Sequence, residues 1–217
     1  MSKNSVPFDT EMGCGMAARG RPRAFDRNGA LRKAMKVFWE HGYEAASISD
    51  LTAAMGINSP SLYAAFGCKE ALFREAVDLY NETEGAAVAA ALRDLPTARE
   101  AITEVMRHQV MAYTDPEKPR GCMIVLTATT YTERSHAVHE HLADERLATE
   151  HDFRERIERG IADGDVPAGA NAATIAAFYN AVNQGMAIQA RDGADRSKLS
   201  TVAESAISAW DGLVGAG

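Results

Sequence analysis

Along most of the chain apolar residues recur every three or four positions, the spacing of amphipathic helices. From Arg27 to about His41, Leu31, Ala34, Met35 and Phe38 fall on one face. Asp26 is placed to cap this helix and Gly42 to stop it. Ile48, Leu51, Ala54 and Met55 share a face in the next segment, which opens on Ser47 and Asp50 in capping-box register. Gly56 supplies the left-handed residue that ends it, and Ile57 tucks inward at the joint. Asn58 or Ser59 caps a third, short helix with Pro60 in its first turn, and Leu62 and Phe66 lie i,i+4 on its buried side. Ser59, Ser61, Tyr63 and Ala64 remain on the outer face, all short or flat groups. Two short helices joined by a glycine-containing turn meet the requirements of a helix-turn-helix.

Beyond this unit the pattern stays helical. Lys69 to about Leu92 predicts one long helix broken by Pro96. Thr97 to about Tyr113 predicts the next, with Ile102, Val105, Met106, Gln109 and Tyr113 spaced i,i+3 or i,i+4. Asp115-Pro116 and Lys118-Pro119 mark a loop. The stretch from Cys122 to about Glu133 is β-branched enough for a strand, but a lone strand among helices has no partner, so a buried helix is expected. Ser135 is placed to cap a long charged helix reaching about Asp163. Residues 164–169 form a loop, and Asn171–Arg191 and Ser197–Val214 complete the count. The expected fold class is all-α.

The last two helices point to a partner. Ala172, Ile175, Ala176, Tyr179, Val182, Asn183 and Met186 form one stripe, while Ala173, Ala177, Ala181 and Ile188 cover much of the remaining surface. A helix apolar on several sides must be buried from more than one direction. A four-helix interface, two helices from each of two identical subunits, meets that need, with the seven-residue stripe as the expected contact.

A net charge of −7 is divided unevenly. Residues 1–67 sum to +2 and the remainder to −9. Within 19–36, Arg19, Arg21, Arg23, Arg27, Arg32, Lys33 and Lys36 face Asp26 alone. A compact basic patch on an acidic body is the electrostatic footprint of a module that grips phosphates, and the acidic remainder favours one docking orientation. Arg19-Gly20-Arg21-Pro22-Arg23 reads as an extended arm able to enter a minor groove. The 46% hydrophobic and 24% charged content is ordinary globular usage. No run of about eighteen apolar residues predicts a membrane span, and Asp9 and Glu11 argue against a signal peptide. Cys14, Cys68 and Cys122 form no disulfide or metal pattern, so a cytoplasmic location is expected.

The residues from Gly56 to Tyr63, followed by Phe66-Gly67-Cys68-Lys69-Glu70-Ala71-Leu72-Phe73, resemble the signature of TetR-type transcriptional repressors. The approach to them, Ala34 to Phe38, Gly42-Tyr43, Ser47-Ile48 and Leu51, resembles it too, so the likeness runs over roughly residues 20–80. The chain departs from the pattern at Ala64 and Ala65, where many members carry bulky polar residues. It departs again at Cys68, where Ser, Asn or Asp is common. Residues 1–18, which precede the first periodic segment and include Pro7, Gly13 and Gly15, are expected to be a disordered tail. The resemblance implies a three-helix DNA-binding domain with its basic arm over 19–67, and a helical effector-binding and dimerisation domain over 68–217. It implies pairing through the last helices, which presents two recognition helices about one DNA turn apart to a palindromic double-stranded operator. Arg19, Arg21 and Arg23 are then expected on backbone or minor groove. Ser47, Ser49 and Lys69 are expected to fix phosphates at helix starts, and Ser59, Ser61 and Tyr63 to face the major groove.

A core of this type commonly encloses a cavity whose small apolar or amphipathic ligand releases DNA. The candidate lining is Met106, Gln109, Val110 and Tyr113 on one helix, Met123, Thr127, Thr130 and Tyr131 on the next segment, and Phe153 and Phe178 beyond. No Ser-His-Asp order, P-loop or HExxH motif occurs, so neither an enzyme nor a cofactor is expected. His136, His139 and His141 on a polar helix read as solvent-facing rather than as metal ligands. Gly13 to Ala18 matches dinucleotide-fingerprint spacing but lacks a preceding strand. Cys122 follows Arg120-Gly121 at a helix start, where a thiol pKa can fall, which makes a thiol-based sensing repressor one alternative. A helical binding protein with a vestigial helix-turn-helix is the other.

Overall fold

Asp26 opens the described chain by accepting the Gly29 N–H at 2.9 Å, which starts α1 (Arg27–Ala45). The computed structural model describes residues 26–127 and 132–215. The N-terminal tail, Arg19, Arg21, Arg23, Thr130 and Tyr131 therefore lie outside the described residues. Gly42, with φ near +80°, kinks α1 before its last turn. Then follow α2 (Ile48–Met55) and α3 (Ser59–Phe66), separated by Gly56 in left-handed conformation. These three helices match the spacing expected from the sequence, and no strand occurs among the described residues.

The long helix expected over 69–92 is two: α4 (Lys69–Thr83) and α5 (Ala86–Asp94). The break falls at Gly85, whose N–H shares the Tyr80 carbonyl with that of Glu84, at 3.2 and 2.8 Å. A Cβ at Gly85 would stand 2.7 Å from the Asn81 carbonyl oxygen, so glycine is what permits this tight joint. Thr97 and Glu100 form a capping box that starts α6 (Ala98–Tyr113). The buried helix expected from Cys122 is real but short, α7 (Met123–Leu126), and a 3₁₀ turn at Glu133–Ser135 precedes α8 (His136–Asp163). Ser135 stands at the N-cap of α8 but does not cap it; its hydroxyl bonds the Glu44 carboxylate of α1 instead. After α9 (Ala172–Arg191), the expected last helix divides at Ala209 into α10 (Arg196–Ser208) and α11 (Trp210–Val214).

Two apolar cores result. The first joins α1–α4, centred on Phe38, Leu51, Leu62 and Phe73, and also takes in Met123, Ile124, Val138 and Leu142 from α7 and α8. The second packs α5, α6, α8, α9 and α10 around Met106, Phe153, Ile175 and Tyr179. The helix-turn-helix unit and the helical body are therefore bridged by shared side chains rather than by a linker.

The bridge has a polar half as well. The Trp39 indole N–H donates to the Gly121 carbonyl at 3.2 Å across 82 residues of sequence. Arg191, at the end of α9, donates to the Trp39 and Glu40 carbonyls at 2.6 and 2.8 Å, just ahead of the Gly42 kink. Tyr43 N–H reaches the Thr127 carbonyl at 3.4 Å. Gly121 carries φ near +78°, and a Cβ there would meet the Ala187 carbonyl oxygen at 2.5 Å, so α9 and the 120–122 strap touch backbone to backbone.

Gly121→Ala should cost roughly 2–4 kcal/mol, because left-handed backbone and a steric clash act together. Gly164→Ala, with a similar φ but open space around it, should lose about 1–2 kcal/mol. Urea unfolding of both variants checks the ranking.

Candidate nucleic-acid interface and helical cavity

The second helix of the motif is held from three sides. Asn58 Oδ1 accepts the Ser61 N–H at 2.9 Å and fixes where α3 begins. Leu62 and Phe66 are buried beneath it. Arg27 lies 4.4 Å over the Phe66 ring, donates to the Ala65 carbonyl at 3.2 Å, and pairs with Glu75 at 2.8 Å. One arginine of the basic run is thus committed to seating α3 against α1 and α4. The outer face carries exposed Ser61, Ala64 and Tyr63, the last 47% exposed, with Ser59 half-buried. Lys33 stands at the groove between α1 and α3, beside Ser61 and Ala64. Sequence reasoning counted it in the basic run without assigning it to the reading face.

The expected phosphate anchors differ among themselves. Ser49 is exposed on the first turn of α2. The Ser47 hydroxyl is spent on Asp50 at 2.6 Å, and these hydrogen bonds hold the Asp50 carboxyl below its ordinary range. A phosphate approaching Ser47 would therefore meet a carboxylate. Lys69 stands 4.4 Å over the Tyr43 ring and 3.5 Å from the Glu44 carbonyl, and its partial burial lowers its pKa. Cys68, exposed, accepts the Ala71 N–H at 3.4 Å and so performs the N-cap role of the hydroxyl or amide common at that position.

A cavity of about 290 Å³ opens between α4, α5, α6, α8 and α9, with Trp39, Tyr80, Tyr113 and Cys122 on one wall. Of the expected lining, Gln109 and Tyr113 reach it. Met106, Val110, Met123 and Phe153 are instead buried in the two cores and do not line the cavity. Thr127 is buried with its hydroxyl on the Met123 carbonyl at 2.7 Å. Phe178 faces an outer groove with Val182 and Val202. The character also differs from the apolar expectation. Glu84, Glu145, Asp152, Asn180, Asn183 and Gln184 contribute polar wall. The Tyr113 hydroxyl donates to Asn183 at 2.8 Å. Asn180 Nδ2 donates to Glu150 at 3.1 Å, while its Oδ1 accepts no hydrogen bond.

Cys122 is not activated as the sequence suggested. Burial pushes its thiol pKa up, with the Tyr80 and Tyr113 hydroxyls as hydrogen-bonding neighbours. Arg120 donates instead to the Ala194 carbonyl at 2.7 Å. The expected subunit contact is likewise corrected. Ala172, Ile175, Ala176, Tyr179, Asn183 and Met186 are buried within a single chain, since that side of α9 faces α6, α8 and α10. Val182, half-buried, lies at the edge of the outer groove. What α9 leaves exposed is Ala173, Thr174, Ala177, Ala181 and Ile188.

A three-helix reading head fused to a helical body with an internal cavity is the architecture of a one-component transcriptional regulator. Residues 30–76 match the model of bacterial regulatory proteins of the tetR family, and residues 96–206 match that of the tetracyclin repressor-like C-terminal domain. The HTH-type transcriptional repressor ComR of Escherichia coli (strain K12) is 35% identical over 93% of this chain and 96% of its own length. BdcR, a transcriptional repressor of the same organism, is 38% identical over 49% of this chain and 54% of its own. A cysteine mutant of the tetR family regulator CifR, complexed with 26-bp double-strand operator DNA, superposes with a TM-score of 0.85 at 49% identity, covering 88% of this chain and all of that one. The chain belongs to the tetR family and is a DNA-binding transcriptional regulator.

Tyr63→Ala should abolish specific operator binding while shifting stability by less than about 0.5 kcal/mol, as surface truncations do. A large fall in melting temperature would place the Tyr63 ring in the core instead. Lys33→Ala should weaken binding to all DNA and flatten the plot of log K against log salt by roughly one unit.

Proposed function

We propose that the protein is a repressor that holds operator DNA as a homodimer and lets go when a small molecule occupies the cavity. One observation carries this reading. Helix α4 begins at Lys69 beside the reading head and presents Tyr80, Asn81 and Glu84 to the cavity wall. A ligand that pushes on its far end must move it against α1, and α1 positions α3 through Arg27 and the shared core. The ligand then favours the spacing in which the two recognition helices miss their half-sites. Linkage requires that DNA weaken ligand binding by the same factor, typically about 5–150-fold.

Ser59, Ser61 and Tyr63 face the major groove in this reading, and Ser49, Lys69 and the Arg19, Arg21 and Arg23 arm contact backbone or minor groove. The dimer forms through the outer faces of α9 and α10. Ala177, Ala181 and Ile188 form an exposed apolar stripe there, and Phe178, Val182 and Val202 line an adjoining apolar groove. Among the described residues no helix is long and apolar enough to cross a membrane, consistent with work in the cytoplasm.

Cys122 supports a second reading, covalent sensing, because its thiol lines the same cavity. Its raised pKa leaves it protonated at neutral pH and slow as a nucleophile, which favours reversible occupancy. Cys122→Ser should therefore keep ligand-triggered release; a variant locked on DNA would sink the reversible reading. Val88→Trp, filling the cavity from α5, should remove release while ligand-free DNA binding persists. Ile188→Glu should convert dimer to monomer in sedimentation and cost operator affinity by at least about 100-fold, because one half-site is lost.

A further inference from the structure

The polarity of the cavity narrows what it takes. Three carboxylates contribute to its wall: half-buried Glu84 and Glu145, and Asp152 at the exposed rim. Arg146 is the one cation among the described lining residues, and it donates to the Ile124 carbonyl at 3.1 Å. Lys118 neutralises Glu84 at 2.7 Å, and Asn81 donates to Glu145 at 2.8 Å. Among the described residues no Lys or Arg ion pair to Asp152 is formed; desolvation and the neighbouring Glu155 raise its pKa, against an opposing pull from His151.

A second observation is independent of the charges. Asn180 is 95% buried in the wall, yet its Oδ1 accepts nothing. A buried acceptor left unmade costs about 1–3 kcal/mol, and Asn180 lines the cavity, so a turn of its side chain toward a bound donor recovers free energy that no protein group supplies. Trp39, Tyr80 and Tyr113 on the same lining give the cavity an aromatic side suited to an apolar body. The volume lies at the low end of small-molecule sites, roughly 300–1,000 Å³.

The geometry points to a small amine as the ligand class: an aryl or alkyl body against the aromatic wall, with a protonated nitrogen donating toward Asn180 and the Glu145–Asp152 side. This rests on the effector reading above and specifies its chemistry. The ammonium supplies hydrogen-bond donors and no acceptor, which matches the wall carboxylates and the unpaired Asn180 Oδ1. An anionic ligand of the same size would meet carboxylates and an unpaired carbonyl oxygen. A neutral alcohol would satisfy Asn180 but gain nothing from the charge.

The test is calorimetric titration of the full-length protein with benzylamine, 2-phenylethylamine and 3-phenylpropylamine, each beside its alcohol and carboxylate counterpart. The best amine should bind at least about ten-fold more tightly than its alcohol, about 1.4 kcal/mol, with the carboxylate weakest. Glu145→Gln combined with Asp152→Asn should erase that preference while the alcohol keeps its affinity. Equal affinity of amine and alcohol, tightest binding of the carboxylate, or no heat from any amine overturns the assignment. If the double variant unfolds, the wild-type ranking alone decides. Operator titration in parallel separates the two ideas. An amine that binds without loosening DNA leaves the cation site standing and removes its regulatory role. An alcohol that binds and releases DNA as well as the amine does the reverse.

Discussion

The contact between the Gly121 strap and α9 is the constraint on which the rest depends. Backbone meets backbone there because Gly121 has no Cβ, and the carbonyl it exposes receives the Trp39 indole. Arg191 closes the same joint by donating to the Trp39 and Glu40 carbonyls. The end of the first helix is thus fastened to the end of the ninth. The Trp39–Gly121 bond is buried, so opening it leaves a donor and an acceptor unpaired in a low-dielectric setting. At this joint α1 meets the helical body through direct hydrogen bonds and backbone contact rather than through a linker.

Charge is distributed with the same economy. The basic run near the N-terminus is not uniformly available to DNA, because Arg27 is stacked on Phe66 and paired with Glu75. It serves orientation, holding α3 at a fixed pitch, while Lys33 keeps its charge at the groove. Arg107 with Glu204 and Arg99 with Asp211 are exposed pairs across α6, α10 and α11, where solvent screening leaves little net stabilisation. The packing of Tyr179 and Trp210 beneath them contributes more.

Local signals were legible in the sequence wherever one residue had one job. Asp26, Ser47 with Asp50, Gly56, Asn58, Thr97 with Glu100 and Gly164 each mark a helix end, and each stands at that end in the structure. Gly85 was missed, because a lone glycine within an apolar-periodic run carries the same signal whether the helix continues or turns. Ser135 shows the converse: a good cap by spacing, diverted by a carboxylate 91 residues away in sequence.

The sequence by itself determined the class of protein, the all-α fold and the face of α3 turned outward, because helical periodicity and capping depend on neighbours within one turn. Only the tertiary structure decided which way each apolar helix faced. Helix α9 is apolar on two sides, and periodicity cannot tell which side meets its own chain. The side expected to bind a partner proved to be the core, and Phe178, expected in the cavity, lies half-buried along an outer groove. The polar wall of the cavity was hidden for a related reason. Glu84, Glu145 and Asn180 each read as ordinary helix-surface residues, and only packing brings them around one space.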